Sequence, residues 1–289
     1  MFNPGAGAGK AFRQFASLKS AILKRHPRSE FLSTRDPAGA RAYVVHANLS
    51  AYDAVVAAGG DGTVFQVLNG IYGNAHRCPL GIIPLGTGNA FAREFGLLPS
   101  NWKSAVARLD PANLKRIDVG QVEWEGGTFH FLNIIGIGFA TDAGLAARKL
   151  KFVGRSAYTL GALWRMLRLR SYPLEMQLDG EEVRQHNVLV EISNSRFTGT
   201  SFMMAPSAEL DDGLLDVTWL GEVPRLRLLH LLKALFSGRH VAYPEVQTRQ
   251  ARVVKLEAPS GYLLMPDGEF EGRTPARITC LHRDLALFC

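Results

Sequence analysis

The feature that most constrains the fold is a glycine-rich loop between a strand pattern and a helix pattern. The loop is Gly-Gly-Asp-Gly-Thr at residues 59–63. Residues 54–58 before it form a short apolar run typical of a buried strand. The order of strand, tight turn and helix predicts an α/β unit. The apolar stripe of the predicted helix is Val64, Val67, Leu68 and Ile71.

Two similar units occur in the first hundred residues. Residues 80–84 resemble a strand, followed by a loop at 85–89 and a helix start at 90–95. Another glycine-rich loop at residues 3–9 precedes a helix pattern. Loops that follow parallel strands gather at one edge of an open sheet, so we expect the three loops to meet there. The stripe of that helix is Phe12, Phe15, Leu18 and Ile22.

These loops predict phosphate binding. Glycines let the backbone approach a ligand closely, and the free N–H groups at a helix N-terminus attract phosphate. The aspartate in the loop at 59–63 would repel a bare phosphate, which indicates a magnesium ion or a hydroxyl that carries a proton. Phosphoryl transfer is therefore the predicted chemistry. For a single loop, a turn that serves only packing is the alternative.

Two common phosphate motifs are excluded. A P-loop needs glycine where Pro4 stands and Ser or Thr where Ala11 stands. The dinucleotide fingerprint fails because Lys10 occupies the position of its third glycine. The sequence therefore does not support a P-loop ATPase or a nicotinamide dehydrogenase.

Composition narrows the class of protein. The 289 residues are 47% hydrophobic and 20% charged, which is ordinary for a globular enzyme. The three cysteines are widely spaced and indicate a reducing compartment, without a disulfide framework or zinc site. No apolar run approaches the ~20 residues of a membrane span, and no signal peptide is visible. We therefore expect a cytoplasmic protein.

The chain changes character at about Asp118. Strand and helix patterns alternate before it, which predicts a parallel sheet. Strand patterns dominate after it and predict a mostly antiparallel second domain. The predicted domains are residues 1–118 and 119–289. The strand patterns of the second lie at 120–123, 128–135, 174–178, 187–192, 214–220, 252–258 and 278–282.

The net charge of +7 is unevenly distributed. Residues 143–171 carry seven basic and no acidic side chains, and residues 224–240 are similar, with apolar residues interleaved. Basic amphipathic helices suit an anionic membrane surface. The alternative is a solvated basic helix whose apolar stripe packs on the second domain. No nucleic-acid recognition motif accompanies the charge, so we expect no nucleic-acid partner.

The loops together carry a family resemblance. Asn3-Pro4 with its glycines, residues 59–63 and residues 86–89 resemble the diacylglycerol kinase catalytic domain family. That family includes bacterial soluble lipid kinases, sphingosine kinases and ceramide kinases. The resemblance implies an α/β nucleotide-binding domain followed by a mostly antiparallel, lipid-binding β-sandwich. Further matches follow in order at 117–120, 131–133, 136–139, 211–215 and 267–269.

The resemblance implies an ATP site in the first domain. Thr34 has a second interpretation, as a helix N-cap ahead of Asp36-Pro37. Asp118 matches a family carboxylate near the metal, and alternatively ends a strand. The implied ATP-binding residues are Asn3, Thr34, Gly59, Gly60, Asp61, Gly62, Thr63, Gly86, Thr87 and Asn89.

The resemblance also implies the catalytic groups. Asp267 would be the general base, with Glu269 as support or metal contact; in some members the counterpart of Asp61 has the base role. An apolar segment at 263–266 precedes Asp267, and desolvation of that kind suits a carboxylate that accepts a proton. An exposed turn is the alternative for residues 267–269.

Magnesium is the implied cofactor and ATP the implied phosphoryl donor. A structural magnesium site is implied at Glu209, Asp212 and Leu214, partly through backbone carbonyls, with a plain hairpin turn as the alternative. The acceptor would be diacylglycerol, a sphingoid base or a similar long-chain alcohol. The other expected partner is an anionic membrane surface, bound peripherally, and a homodimer is a candidate assembly.

Two competing functions stay open. An NAD kinase would carry an Asn-Glu pair early in its second domain, whereas Asn133 is followed by Ile134. A non-catalytic lipid binder would have damaged nucleotide loops, whereas these loops are intact. Only two residues precede the first loop, where the family has a full apolar strand, and we expect that the start of the chain is late.

Overall fold

The computed structural model describes residues 1–34, 37–149, 169–199, 201–258 and 261–289. The chain divides into two compact units. The first contains Met1–Ile117 and Arg283–Cys289, and the second contains Asp118–His282. The chain passes from the first unit to the second within one strand and returns within another. The predicted boundary at 118/119 remains a prediction.

The first unit is mixed α/β. Short 3₁₀ turns lie at Leu49–Ala51, Pro99–Asn101 and Pro111–Asn113. Its strands are β1 (Val55–Gly59) and β2 (Leu80–Pro84), and its helices are α1 (Lys10–Arg25), α2 (Pro37–His46), α3 (Asp61–Tyr72), α4 (Ala90–Arg93) and α5 (Trp102–Ala107).

The strands of the first unit are parallel, as predicted. β1 pairs with β2 in parallel register from Val55–Leu80 to Gly59–Pro84. Phe2 forms isolated parallel bridges with Ala58 and Ser33, so an extended segment precedes the first loop. The predicted stripe of α3 is buried throughout. In α1 the prediction was wrong for Phe12, which is 69% exposed, because the buried face is Ala11, Leu18 and Ile22.

The second unit is a mostly antiparallel β-sandwich-like domain. Its helices are α6 (Phe139–Lys149) and α7 (Arg225–Leu235), with a 3₁₀ turn at Arg239–Ala242. Its strands are β3 (Leu114–Trp124), β4 (Gly127–Phe131), β5 (Ile134–Gly138), β6 (Tyr172–Leu178), β7 (Glu181–Ser193), β8 (Phe197–Thr198), β9 (Phe202–Met203), β10 (Leu215–Gly221), β11 (Val246–Ala251), β12 (Val253–Glu257), β13 (Met265–Pro266) and β14 (Ala276–Phe288).

Strand β7 is the centre of this sheet. It pairs antiparallel with β5, β6 and β10. Short β13 adds to the other edge of β5, where Met265 lies opposite Gly136. The residues of β5, β7 and β10 that face α7 include Ile134, Leu189 and Leu220, which pack with Leu228, Leu231 and Leu235 of that helix.

Residues 128–135 form two strands, not the single strand that the sequence predicted. The chain leaves the ladder at Leu132 and Asn133, between β4 and β5. The physical reason is that the amides of Leu132, Asn133 and Ile134 donate to the carboxylate of Asp267.

Helix α7 lies in the second basic stretch and presents two apolar faces. Leu228, Leu231 and Leu235 pack inward, as the solvated-helix alternative requires. Leu226 and Phe236 are nevertheless 76% and 54% exposed. Most of the first basic stretch, residues 150–168, lies outside the described residues. Among the described helices, none combines the length and apolarity needed to cross a membrane.

Candidate active site

The backbones of two predicted phosphate loops touch in the first unit. A Cβ added to Gly86 would lie 2.4 Å from the Cα of Gly60, which is closer than real side chains approach. The amides of Leu85 and Gly86 both donate to the carbonyl of Gly59, at 2.8 and 3.1 Å. A Cβ on Gly59 would meet the Oγ1 of Thr63 at 2.3 Å. Gly86 is therefore required by close packing of backbone on backbone, and Gly59 by the side chain of Thr63.

The first loop joins the other two. Asn3 donates from Nδ2 to the Oγ1 of Thr63 at 3.2 Å, and its Oδ1 accepts from the amide of Gly5 at 2.9 Å. A Cβ on Gly7 would lie 2.7 Å from the carbonyl oxygen of Leu85. The three glycine-rich loops thus meet at the carboxyl ends of the parallel segments, as the sequence predicted.

Thr34 lies at the same edge of the parallel segments. Its amide donates to the carbonyl of Phe2 at 3.0 Å, and the amide of Asn3 donates to Ala58 at 3.0 Å. Thr34 and Asn3 therefore follow neighbouring extended segments. The role of Thr34, as a helix N-cap or as a nucleotide contact, remains a prediction.

Asn89 shapes the loop that begins at Gly86. It is buried in the left-handed backbone region, with φ of 52°, and its side chain exchanges two hydrogen bonds with the backbone of Gly86, at 3.0 and 2.7 Å. Asn89 therefore holds the loop by its own side chain, while Thr87 at the loop tip is exposed.

Asp61 begins helix α3 and lies beside the start of α4. The amide of Phe91 donates to its Oδ1 at a long 3.5 Å. Burial raises the pKa of Asp61 to about 6, and the amides of Phe91, Ala90 and Asn89 act in the opposite direction. The carboxylate is therefore ionised at neutral pH but close to its titration range, which suits a group that exchanges hydrogen-bond partners for a cation.

Asp267 belongs to the second unit and is held by backbone donors. Its Oδ1 accepts from the amides of Asn133 and Ile134 at 2.9 and 3.0 Å, and its Oδ2 accepts from Leu132 at 3.0 Å. Its own amide donates to the carbonyl of Ile134 at 2.9 Å. The residue is buried with φ of 48°, so the alternative of an exposed turn is wrong for this side chain. Glu269, two residues on, is half-buried.

The predicted structural magnesium segment forms a turn. The Oδ1 of Asp212 accepts from the amide of Leu214 at 2.9 Å. The amide of Gly213 donates to buried Asp118 at 2.6 Å. Within the described ranges, no three His, Cys, Asp or Glu side chains lie close enough to hold a metal. A site at Glu209, Asp212 and Leu214 that uses backbone carbonyls remains a prediction.

Sequence reasoning missed two buried polar residues on β7. Glu191 and Ser193 are 4% and 0% exposed. Burial raises the pKa of Glu191 to about 8, so its carboxyl group is protonated at neutral pH. One signal was present, since Glu191 is a lone acidic residue inside the apolar run 188–192. No pattern in the sequence indicates that the amides of residues 132–134 bind the carboxylate of Asp267.

Both parts of the chain match known family models. Residues 1–122 match the model described as "Diacylglycerol kinase catalytic domain". Residues 133–289 match the model described as "YegS C-terminal NAD kinase beta sandwich-like domain".

The chain is similar to curated and solved proteins over nearly its whole length. It is 33% identical to a diacylglycerol kinase of Mycobacterium tuberculosis H37Rv, over 96% of this chain and 90% of the relative. It is 30% identical to a diacylglycerol kinase of Bacillus subtilis 168, over 83% and 78%. A putative diacylglycerol kinase from Bacillus anthracis superposes with a TM-score of 0.79 at 25% identity, covering 99% and 94%.

A more distant solved structure shares the fold alone. An NAD kinase from Archaeoglobus fulgidus, solved in complex with ATP, superposes with a TM-score of 0.52 at 15% identity, covering 96% of this chain and 89% of that one.

Gly86→Ala should separate the two loops in the first unit. The added methyl would meet the backbone of Gly60, so we expect a loss of about 1–3 kcal/mol in the free energy of unfolding and at least tenfold weaker ATP binding. Thermal unfolding and ATP titration measure both. Gly60→Ala is the graded control, since its Cβ would lie at 3.2 Å and the effects should be smaller. Equal effects of the two variants would contradict the backbone-contact explanation.

Asp267→Asn should destabilise the protein. An amide side chain keeps one acceptor oxygen and turns an NH₂ group toward a backbone donor, which costs about 1–3 kcal/mol when buried. We expect Tm to fall by several degrees. Asp179→Asn is the matched control because Asp179 also precedes a glycine and accepts from two amides, but is exposed. A Tm loss in the control as large as in Asp267→Asn would argue against a special cost of burial.

Proposed function

Because this chain belongs to the diacylglycerol kinase catalytic domain family and is a lipid kinase, we propose that it transfers the γ-phosphoryl group of ATP to the hydroxyl of a lipid, with diacylglycerol as the first acceptor to test. The observation that carries the ATP-binding part is the meeting of three glycine-rich loops in the first unit. The same loops exclude side chains from the points where their backbones touch.

The loops would hold the phosphates of ATP. Gly60 and Gly86 leave a surface of backbone without Cβ atoms, and Asn3 and Thr63 are joined beside it. Backbone N–H groups at the start of α3 would supply donors to phosphate oxygens. Exposed Thr87 would add a hydroxyl from the loop tip. In such a site, catalysis comes mainly from positioning and charge stabilisation.

Asp61 fits as the residue that would hold magnesium. It offers a carboxylate at the edge of the phosphate loops, and hard oxygen ligands are what this ion takes. When bound, magnesium would neutralise charge on the transferring phosphoryl group. The amides that Asp61 accepts from in this structure orient the carboxylate at the start of α4.

Asp267 would accept the proton of the lipid hydroxyl. A long-chain alcohol needs an adjacent base because its own pKa lies far above neutral, and general-base catalysis contributes 10²–10⁴-fold. The three amides fix the carboxylate in one orientation. Glu269 would support the turn or contact metal.

The competing functions have weaker support. The likeness to an NAD kinase extends to the fold, whereas Asn133 lacks the following glutamate that an NAD kinase would carry. A non-catalytic binder does not need the backbone contact between Gly60 and Gly86 that this chain keeps.

The outer face of α7 would dock on an anionic membrane. Leu226, Leu229 and Phe236 are exposed on the same helix segment as exposed Arg225 and Lys233. Apolar residues among cations match a surface of anionic headgroups over acyl chains. The inner face, Leu228, Leu231 and Leu235, anchors the helix to the second unit.

The kinase assay tests the proposed roles of the two aspartates. Purified protein with labelled ATP, magnesium and a panel of lipids should phosphorylate at least one lipid. Asp61→Asn should lower turnover by orders of magnitude because it removes the charge that organises magnesium. Asp267→Asn should lower turnover 10²–10⁴-fold while ATP still stabilises the protein against unfolding, assayed below its reduced Tm. Full turnover in folded Asp267→Asn would assign the base to another group.

Activity should fall in acid with an apparent pKa of about 6. Asp61 is protonated below that pH and ionised above it, so the form that holds a cation is lost as the pH falls through about 6. The measurement is kcat/KM for ATP between pH 5 and 8, with acceptor lipid saturating. An acid limb that persists unchanged in Asp61→Asn would show that a different group titrates.

Membrane binding should depend on the outer face of α7. Replacing Arg225 and Lys233 with Gln should weaken binding to anionic vesicles by about 1 kcal/mol per charge, less at high salt. Phe236→Ser should weaken binding to anionic vesicles without changing the salt dependence. Phe12→Ser is the control, since Phe12 is also an exposed phenylalanine, 69% exposed on α1 against 54% for Phe236. Activity on a detergent-dispersed short-chain lipid should survive; its equal loss would indicate a structural role.

A further inference from the structure

Two buried polar side chains on β7 have no hydrogen-bond partner in the part of the chain that the structure describes. Ser193 is fully buried and its Oγ is unpaired. Glu191 is 4% exposed, and burial alone accounts for the shift in its pKa. Buried polar groups are nearly always paired, so two unpaired ones on the same strand indicate a missing partner.

Both side chains lie on one face of the sheet. They are two residues apart on β7, so they point to the same side. Ser193 lies opposite Ile134 and Glu191 lies opposite Gly136 of β5. A Cβ on Gly136 would lie 3.4 Å from both carboxyl oxygens of Glu191. The Cβ of Ala140 in α6 lies 2.8 Å from the same point, so the carboxyl group of Glu191 lies between the backbone of Gly136 and the start of α6.

This polar pair adjoins the proposed base within the second unit. The carboxylate and the amide of Asp267 both bind the backbone of Ile134, the residue opposite Ser193. Strands lie about 5 Å apart and residues rise about 3.4 Å, so Ser193 is roughly 5 Å and Glu191 roughly 8 Å from that backbone. If the hydroxyl of a lipid lies at Asp267, the polar groups next to that hydroxyl would lie roughly 5–8 Å away, within reach of Ser193 and Glu191.

Apolar side chains lie on the same face of the sheet as the pair, because Ile134 is opposite Ser193. Ile134 packs with Met204 and Leu235, and partly buried Leu189 and Leu232 lie against the same cluster. Leu232 and Leu235 belong to α7, whose outer face is the proposed membrane contact. Hydrogen-bonding groups set in an apolar wall are typical of sites that recognise a mostly apolar ligand by a few polar atoms.

The charge state of Glu191 selects the ligand chemistry. With a pKa of about 8, it is a neutral carboxylic acid at pH 7 and can donate a hydrogen bond. A neutral acid pairs with a carbonyl oxygen without burying any charge. An ammonium ligand would require both an ionised carboxylate and a desolvated cation, which is costlier.

We propose that Glu191 and Ser193 bind the ester linkage of an acylglycerol acceptor, with the Glu191 O–H donating to an ester carbonyl. This inference rests on the proposed lipid kinase function and assigns the two residues that would recognise the ester carbonyl groups near the reacting hydroxyl of the acceptor. Ser193 supplies a second donor to the same linkage. Neither residue takes part in the phosphoryl transfer; both determine which lipid is held.

The test compares an ester lipid with its ether analogue. Dioctanoylglycerol and dioctylglycerol ether differ in the carbonyl oxygens alone. We expect wild-type protein to bind the ester about tenfold more tightly, the worth of one hydrogen bond to a buried partner. Binding is followed by the lipid-dependent shift in Tm, which needs no turnover, and kcat/KM with ATP gives the second readout.

Three variants make the comparison specific. Glu191→Leu should abolish the ester preference, whereas Glu191→Gln should retain it because its amide N–H can donate. Ser193→Ala should reduce it. Val190→Thr is the matched control, because buried Val190 is one residue from Glu191 on β7 and therefore points to the other face of the sheet. That variant should leave the ester-to-ether ratio unchanged, and Tm without lipid checks the fold of each.

Each outcome decides the inference. Equal binding of ester and ether by wild-type protein, or an unchanged ratio in Glu191→Leu, would overturn it. Preference for a long-chain amine, lost alike in Glu191→Gln and Glu191→Leu, would replace it with recognition of an ammonium group. Ester-selective binding without phosphorylation of any lipid would overturn the proposed kinase activity and leave the binding inference standing.

Discussion

Three consecutive backbone amides bind the carboxylate of Asp267, and the second unit is arranged around that interaction. Backbone N–H groups that leave a ladder need other acceptors, and one buried carboxylate satisfies all three at residues 132–134. The ladder therefore breaks between β4 and β5. The same contact sets the Asp-Gly turn against β5, whose other neighbour is β7 with Ser193 and Glu191. The proposed roles of Asp267 in catalysis and of Ser193 and Glu191 in acceptor binding therefore depend on the same three hydrogen bonds.

The first unit depends on a different constraint, the absence of side chains. A Cβ on Gly86 would lie 2.4 Å from the Cα of Gly60 and force the two loops apart, and a Cβ on Gly7 would meet the carbonyl oxygen of Leu85 at 2.7 Å. Backbone without side chains allows main-chain N–H groups to approach phosphate oxygens closely. The proposed phosphate binding therefore explains why the three loops are rich in glycine.

Burial raises the pKa of two acids, with opposite consequences at neutral pH. Asp61, with a pKa of about 6, remains ionised, and the amides near α4 limit the shift. Glu191, with a pKa of about 8 and no such donors, is neutral. A charged carboxylate suits a cation beside phosphates, whereas a neutral acid suits a carbonyl in an apolar wall. The same desolvation therefore serves two different ligands in the two proposals.

Sequence alone determined the class of fold, because strand and helix periodicities in the first 118 residues and strand patterns beyond them are local properties. It also identified the loops that meet, since glycine-rich turns after parallel strands must share an edge. It failed for Phe12, whose stripe position is exposed, and for residues 128–135, which break into two strands. Only tertiary structure decided that Asp267 is bound by distant amides, that Leu226 and Phe236 are exposed, and that Glu191 is buried without a hydrogen-bond partner among the described residues. Each of these depends on which groups from remote parts of the chain come within a few ångströms, and no local pattern encodes that distance.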